Sequence, residues 1–551
     1  MSSGYAFEPS AHTDTFPRAH LPPFEQWPPM DLQCLPEIAA YPRRMNCARE
    51  LLDKQAAIYG DKPVIYYGDE VWSWNRLLEA ANRIAHVLVE DMGVRPGNRV
   101  LLRAPNNPMY VACWFAVMKV GAVAVATMPL YRWRELAFMT DKAEIKVALC
   151  DWRLREEMET TLKESKFLER CLYFMGGEDS LESRMAGKPA EFETCDTAWD
   201  DVCLIAFTSG TTGQAKGCMH FHRDVMMICD TFNRYVLKPG PDDIFTGSPP
   251  LAFTFGLGAL VCFPMHGGSA TLLVEQYTPE SMLRSIEKYG VTITFTAPTA
   301  YRAMTSLLAK GGYDVRSLRQ CVSAGETLPL PVWQGWMDAT GIKIIDGLGS
   351  TEMLHIFITS KGDGIRPGAT GKPIPGYEAC ILDDEGKPVP DGTVGRLAVR
   401  GPTGVRYLDN PERQAAYSAY GWNLTGDSYL RDTDGYYWYQ ARTDDMIISA
   451  GYNISGPEVE AVLLLHPDVS ECAVVAAPDA ERGHVVKAYV VLRDKDKAGP
   501  QTAKALQDFV KAEIAPYKYP RAVEFLDALP RTQTGKVQRF VLRQKGEAAS
   551  P

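Results

Sequence analysis

Short apolar runs rich in Val, Ile and Ala alternate along this chain with amphipathic stretches, and that alternation constrains the fold more than any other feature. "NRVLLRAP" leads into "NPMYVACWFAVMKV" and then "AVAVATMPL", with "KVALCD" close behind. Further on, "TITFTAPTAYRAMTSLLAKGG" reads as a strand followed by a helix. "RQCVSAGE" and "KIIDGLGSTE" read as short strands ending in Gly-rich, polar loops. Such repetition predicts an α/β fold with largely parallel sheets covered by helices. Ligands of these sheets sit where loops leave the carboxyl ends of strands. The loops "TSGTTG", "SAGE" and "GLGSTE" are therefore expected to share one site.

The length, 551 residues, suggests roughly two to four domains. A net charge of −10 argues against a nucleic-acid partner held by the overall field. The thirteen cysteines show no C-x-x-C and no zinc-ligand spacing, and an odd number cannot all pair within the chain. Reduced thiols in a cytoplasmic protein are expected. The N-terminus lacks the charged and apolar regions of a secretory signal and reads as an irregular, proline-rich lead-in. "VACWFAVMKVGAVAVATMPL" imitates a membrane span, but Lys119 interrupts it and Gly121 and Pro129 punctuate it. A buried helix to Lys119, a turn at Gly121 and a buried strand explain it better.

Between 360 and 443 Gly, Pro and Asp become dense, which predicts short strands separated by turns. Downstream, "GPEVEAVLLLHPDVSECAVVAAPD" reads as helix then strand, "KAYVVLR" as a strand, "TAKALQDFVKAEI" as a helix and "RAVEFLDALPRTQTGK" as a strand entering a loop. These make a compact C-terminal α+β domain.

The loop "FTSGTTGQAKG" (207–217) follows the apolar run "DVCLIAF". It is not a G-x-x-x-x-G-K-[ST] loop, because Ala215 falls where the second glycine should be and Gly217 follows Lys216. The physics is related: backbone N–H groups of a Gly-rich turn, several hydroxyls and one lysine can surround a phosphate chain.

With this loop the chain resembles the adenylate-forming superfamily of acyl- and aryl-CoA synthetases, peptide-synthetase adenylation domains and luciferases. The family usually has Pro where Ala215 stands. The resemblance runs from about residue 50 to 543 through "FTSGTTGQAKG", "SAGE", "DGLGSTE", "TGD", "ARTDD", "SAGYNISGPEVE" and "PRTQTGKVQR", in order. It implies that Thr208, Ser209, Gly210, Thr211, Thr212, Gly213 and Lys216 meet the phosphates of ATP. Ala324, Gly325 and Glu326 would lie on the adenine side, and Asp346 and Gly347 would also bind the nucleotide. It further implies Thr351 at the α-phosphate, Glu352 as the Mg²⁺ ligand, and Asp427 and Arg442 at the ribose. Lys536 would be the adenylation lysine, and Gly451 with Tyr452 would line the coenzyme A tunnel. The parts implied are a lead-in (1–45), a large adenylate-forming domain (46–443, with the β-rich subdomain at 360–443) and a small mobile α+β domain (444–551) hinged at Asp444. The co-substrates are ATP, coenzyme A and a small carboxylic acid, with no nucleic-acid or membrane partner; a homodimer stays open.

"STEMLHIF" resembles the benzoate- and 2-aminobenzoate-CoA ligase branch. "PPLAFTFGLG" supplies Phe253 and Phe255, whose rings suit a flat substrate. The branch often carries a tyrosine at Phe255, so this chain lacks one hydroxyl there. Ala300, Tyr301, Ala324, Gly325, Gly349 and His355 are further acid-pocket candidates. His355 reads equally as a pocket group or as a core histidine. His220 and His222 alternate in "MHFH" without a third ligand group, which disfavours a metal. A free-standing enzyme loading a carrier protein, a ligase for cyclic or medium-chain aliphatic acids, and a non-catalytic binding protein remain as alternatives. No fused carrier is expected after Lys536.

Overall fold

Two large sheets organise the chain. The first runs, in spatial order, Arg170–Phe174, Val147–Asp151, Arg99–Arg103, Val123–Thr127, Val202–Phe207 and Gly217–Phe221. All its pairs are parallel except the last, an antiparallel hairpin that spans the phosphate-loop sequence. The second sheet has six consecutive parallel strands, Ile344–Gly349, Gln320–Ala324, Ile293–Thr296, Ile244–Gly247, Ala270–Leu272 and Pro63–Tyr67, with antiparallel strands at its edges. The computed structural model describes residues 6–208, 215–442, 445–449, 452–479, 483–514, 516–532 and 535–548.

Alternation along the strands sorts side chains into three layers, since neighbours point to opposite faces. Leu102, Ala124, Leu149 and Leu204 of the first sheet and Phe245, Phe295, Val322 and Ile345 of the second share one core between the sheets. Leu101, Val123, Ala148 and Ile205 face a second core. Leu272, Cys321 and Ile344 face a third, under the helices Pro279–Tyr289, Pro298–Leu308 and Leu330–Thr340.

The membrane-like stretch is the helix Pro108–Val120, buried at every position, then Gly121 with φ of 75° and the strand Val123–Thr127. The left-handed conformation at Gly121 is one that glycine adopts without cost. Lys119 escapes isolation in the core by bonding Asp53 Oδ1 (2.5 Å) and Thr194 Oγ1 (2.6 Å), as a buried cation must. No described helix is long and apolar enough to cross a membrane. The lead-in packs onto the large domain: Ala11 N–H donates to Asp201 (3.0 Å), Arg18 pairs with Asp200 and Asp201, and Asp14 pairs with Arg99.

An antiparallel sheet follows, built from Glu378–Leu382, Gly395–Arg400, Ser418–Ala419, Trp422–Arg431 and Tyr437–Arg442. The smaller C-terminal domain holds the strands Val469–Asp479, Gly483–Leu492 and Ala522–Phe525 with the helices Gly456–Leu463, Pro500–Glu513 and Arg539–Ala548.

Candidate active site

The strand Val202–Phe207 is wholly buried and delivers Thr208 at its carboxyl end. Thr208 N–H donates to the Lys216 carbonyl (2.9 Å) and Phe207 pairs with Gly217, which closes the loop at its base. Ser209, Gly210, Thr211, Thr212 and Gly213 lie outside the described residues. Lys216 is half-buried; desolvation and then Arg413 lower its pKa, while Glu352 opposes them.

The two other loops leave adjacent strands. Ser323 pairs with Asp346 and Ala324 with Gly347. Gly325 turns with φ of +89°, where a Cβ would stand 3.8 Å from Lys536 Cε. Burial raises the pKa of Glu326, with Arg531 at 3.6 Å acting against it. Burial pushes Asp346 up to about 8. Beyond Gly349 the chain turns tightly. The Thr351 carbonyl accepts from Leu354 N–H (3.2 Å) and from His220 Nε2 (2.8 Å), and Leu354 has φ of 72°. Glu352 Oε1 accepts from the Tyr407 hydroxyl at 2.7 Å.

Asp427 and Arg442 stand directly opposite on antiparallel strands, with Nη1 3.0 Å from Oδ1. Burial raises the pKa of Asp427 despite that partner. Lys536 arrives from the C-terminal domain. Its side chain keeps an open face to solvent, yet it sits in a crowded cleft whose desolvation lowers its pKa. Glu326 opposes this most strongly, and Asp427 and Glu352 act in the same sense. Carboxylates and cations from five separate motifs therefore face one cleft.

Beside it, in the layer between the sheets, lies an aromatic box. Phe255 meets Phe295 edge-on (5.8 Å) and His355 at 5.8 Å, and Phe263 meets His355 edge-on at 4.5 Å. His355 is 3% exposed, and among the described residues neither ring nitrogen has a hydrogen-bond partner of good geometry. Burial drives its pKa to about 3, so the ring is neutral. A Cβ on Gly258 would come 2.8 Å from His355 Nε2, and one on Gly349 would come 2.8 Å from the His355 carbonyl. Ala324 is buried against the same core, and Ala300 is half-buried in the first turn of Pro298–Leu308.

Two expected pocket residues pack against other cores. Phe253 packs into the second core, with Ala215. Tyr301 is fully buried in the third core, its hydroxyl donating to the Val322 carbonyl (3.0 Å) and its ring edge-on to Trp336. Both stand on the far side of a sheet from His355. His220 and His222 diverge as well. His220 faces Thr351, while His222 Nδ1 accepts from Cys47 N–H at 3.2 Å. The fold gathers Cys47, Cys203 and His222 from distant parts of the chain, but the His222 Nδ1 lone pair is already engaged. Asp444 and Gly451 lie outside the described residues; Tyr452 opens the strand Tyr452–Ile454 and pairs with Ser449.

Tyr407, Arg413, Phe295 and Gly258 were not anticipated as site residues. "VRYLDNPER" carries two of them and offers a polar, turn-forming signal, but no charge pattern that points to the distant loops.

The AMP-binding enzyme family matches residues 52–407, and the AMP-binding enzyme C-terminal domain matches 458–536. Benzoate–CoA ligase of Thauera aromatica is 34% identical over 513 residues, covering 92% of this chain and 97% of that protein. The mitochondrial acyl-coenzyme A synthetase ACSM3 of Mus musculus is 32% identical, covering 92% and 91%. The crystal structure of the anthranilate CoA ligase AuaEII with anthranoyl-AMP matches with a TM-score of 0.89 and 33% identity, covering 93% of this chain and 99% of that one. The chain belongs to the AMP-binding enzyme family and is an AMP-forming acid–CoA ligase.

Proposed function

We propose that this enzyme activates an aromatic carboxylic acid of the benzoate or 2-aminobenzoate type and transfers it to coenzyme A. The observation that carries the reading is the box of Phe255, Phe263 and Phe295 around a buried, neutral His355. Edge-on rings suit a flat substrate. An unpaired buried polar group costs about 1–3 kcal/mol, and a ring amine or hydroxyl facing His355 recovers part of that. The similarity to ligases named for benzoate and anthranilate supports the same class.

In the first half-reaction a carboxylate oxygen attacks the α-phosphorus of ATP and the bond to pyrophosphate breaks. Negative charge builds on the phosphoryl oxygens, and cations and N–H donors fixed in place stabilise it. Lys536 bridges the carboxylate and the α-phosphate, with Thr351 beside it. Thr208, Lys216 and the loop between them hold the outer phosphates, and Arg413 adds a further cation. Asp427 and Arg442 hold the ribose hydroxyls, and the segments at 324–326 and 346–347 flank adenine. Glu352 suits Mg²⁺: Tyr407 engages one carboxylate oxygen, and the half-buried group leaves the other for a hard cation. The ion, when bound, neutralises phosphate charge.

In the second half-reaction the coenzyme A sulfur attacks the acyl carbon and AMP departs. The unit 444–551 turns about Asp444 and brings Gly451 and Tyr452 to the pantetheine path, as hinged domains do. Pyrophosphate release from Mg-ATP with benzoate, 2-aminobenzoate, hydroxybenzoates, cyclohexane carboxylate, hexanoate and a long-chain acid, each with and without coenzyme A, tests the reading. Coenzyme A-dependent turnover confined to the aryl acids is expected. Preference for the aliphatic acids would exclude a flat aromatic pocket, and adenylation without transfer to coenzyme A would favour a carrier-protein acceptor.

A further inference from the structure

Thr351 presents two groups: its hydroxyl, read above as facing the α-phosphate, and its backbone carbonyl on the other side. That carbonyl is clamped. His220 Nε2 lies 2.8 Å from it, and Leu354 N–H lies 3.2 Å from it. The His220 ring packs against Asp224: its Nδ1 is 3.6 Å from Asp224 Oδ2, too far for a hydrogen bond. Asp224 accepts from the Phe221 N–H (3.0 Å) and from the Arg406 guanidinium. The side chains of His220, Asp224 and Arg406 are all fully buried. Burial would raise the Asp224 pKa, but Arg406, then His220 and Arg223, more than offset it and keep the carboxylate ionised.

A buried ion pair is not needed for stability here, since apolar residues of the same volume serve a core as well or better. Such groups carry geometry instead: Asp224 packs along the Nδ1 edge of the ring and so helps set where the ring points, while the Nε2 edge donates to the Thr351 carbonyl. The ring then fixes the plane of the Thr351 peptide. The turn it restrains needs restraint, because Leu354 is a non-glycine residue at φ of 72°. Such a conformation costs about 1–3 kcal/mol and persists only where its surroundings enforce it. The residue after this turn is His355 of the aromatic box.

We infer that His220, oriented by Asp224 and Arg406, is a positioning residue for adenylation: it holds the Thr351 carbonyl and so sets the Thr351 hydroxyl against the α-phosphate and His355 against the acid. His220 itself touches neither substrate. The inference rests on the reading of Thr351 given above.

Two polar variants of similar burial separate this role from a merely structural one. In His220→Gln the amide nitrogen lies as many bonds from the backbone as Nε2 and can donate to the Thr351 carbonyl. In His220→Asn it lies one bond short and can only face Asp224. Both half-reactions are measured on full-length protein: pyrophosphate release with the acid that the wild type uses best, and thioester formation from synthetic acyl-adenylate with coenzyme A. Misplacing a reacting group by an ångström costs on the order of 100-fold. His220→Asn is therefore expected to lose about 30-fold or more in adenylation, His220→Gln to stay within about 5-fold, and both to form thioester at near wild-type rates. Equal adenylation rates in the two variants overturn the inference, as does a parallel fall of both half-reactions. Thr351→Ala, run alongside, tests the α-phosphate reading separately; normal adenylation in that variant removes the premise. The acid panel, not these ratios, decides which acid the enzyme uses.

Discussion

The Tyr407 hydroxyl donates to Glu352 Oε1 at 2.7 Å, across 55 residues of sequence. Its neighbours fix it in place: Met219 N–H donates to the Arg406 carbonyl (2.8 Å) and Leu408 N–H to the Gly217 carbonyl (2.9 Å). The segment thus runs beside the strand that follows the phosphate loop. Arg406 reaches Thr351 through Asp224 and His220, while Tyr407 reaches Glu352 directly. Adjacent residues of one segment hold adjacent residues of another.

Removing the phenol frees Glu352 without leaving a buried charge, because the carboxylate is only half-buried. A hydrogen bond to a charged group is worth about 1.5–3 kcal/mol, and partial hydration brings the loss to the low end. Tyr407→Phe should therefore lower adenylation about 10-fold, with a higher Mg²⁺ concentration needed for half-maximal rate. Titrating Mg²⁺ at saturating ATP checks this; an unchanged Mg²⁺ dependence would separate Tyr407 from the metal.

Lys536→Ala should lower adenylation by about 100- to 1,000-fold, the usual cost of one donor aimed at developing charge. Thioester formation from supplied acyl-adenylate should be spared. The pH profile adds a sign. Desolvation lowers the Lys536 pKa and Glu326 opposes it. Only the charged lysine serves, so adenylation should fall as pH rises through a pKa below that of a free lysine. Glu326→Gln removes the carboxylate that favours the ammonium, and the alkaline limb should move to lower pH. A limb that stays put would mean that Glu326 and Lys536 do not sense each other during catalysis.

Asp346 links the site to stability. Burial raises its carboxyl to about 8, from an ordinary value near 3.8. The folded state therefore holds a proton that the unfolded chain gives up, and stability falls as pH rises from about 4 to about 8. Asp346→Asn cannot titrate, so its melting temperature should gain on the wild type between pH 5 and pH 8.5, by roughly 2–4 °C for each kcal/mol that ionisation costs the wild type. Thermal melts of the two proteins at both pH values test this, and parallel pH dependences would show that the carboxyl is ionised at neutral pH.

Periodicity made the parallel sheets and their loops legible, so the placement of Gly325 and Glu352 just beyond strand ends was readable in advance. The layer a side chain faces was not. Tyr301 follows a strand of the second sheet closely, but its helix covers the outer face, so the ring enters the third core. Phe253 and Phe255 are two apart, yet the chain enters the helix Thr254–Leu257 between them, and they part to different cores. "MHFH" misleads for the same reason. Alternate residues share a face only within a strand, and this strand ends at Phe221, so His222 opens a helix and turns away from His220. The clamp on Thr351 combines residues from three distant segments, and no local pattern encodes such a meeting.

The proposed acid pocket gives the last prediction. Gly258 stands where a Cβ would come 2.8 Å from His355 Nε2 and 3.2 Å from Phe263 Cζ, closer than packed atoms tolerate. Gly258→Ala must push the imidazole or the ring aside, at about 1–3 kcal/mol for an overpacked core. On the function proposed above, the affected surface faces the acid and not the nucleotide. KM for the acid should therefore rise about 10-fold or more while KM for ATP stays within about 2-fold, since shifts of this size act locally. His355→Leu keeps the volume and removes both nitrogens. It should lower the preference for 2-aminobenzoate over benzoate by about 10-fold, as expected where a site loses the partner of one polar substituent. Steady-state kinetics with both acids measure the ratio. An unchanged ratio in His355→Leu, with acid affinity lost in Gly258→Ala, would make His355 a wall of the pocket that does not read the ring substituent.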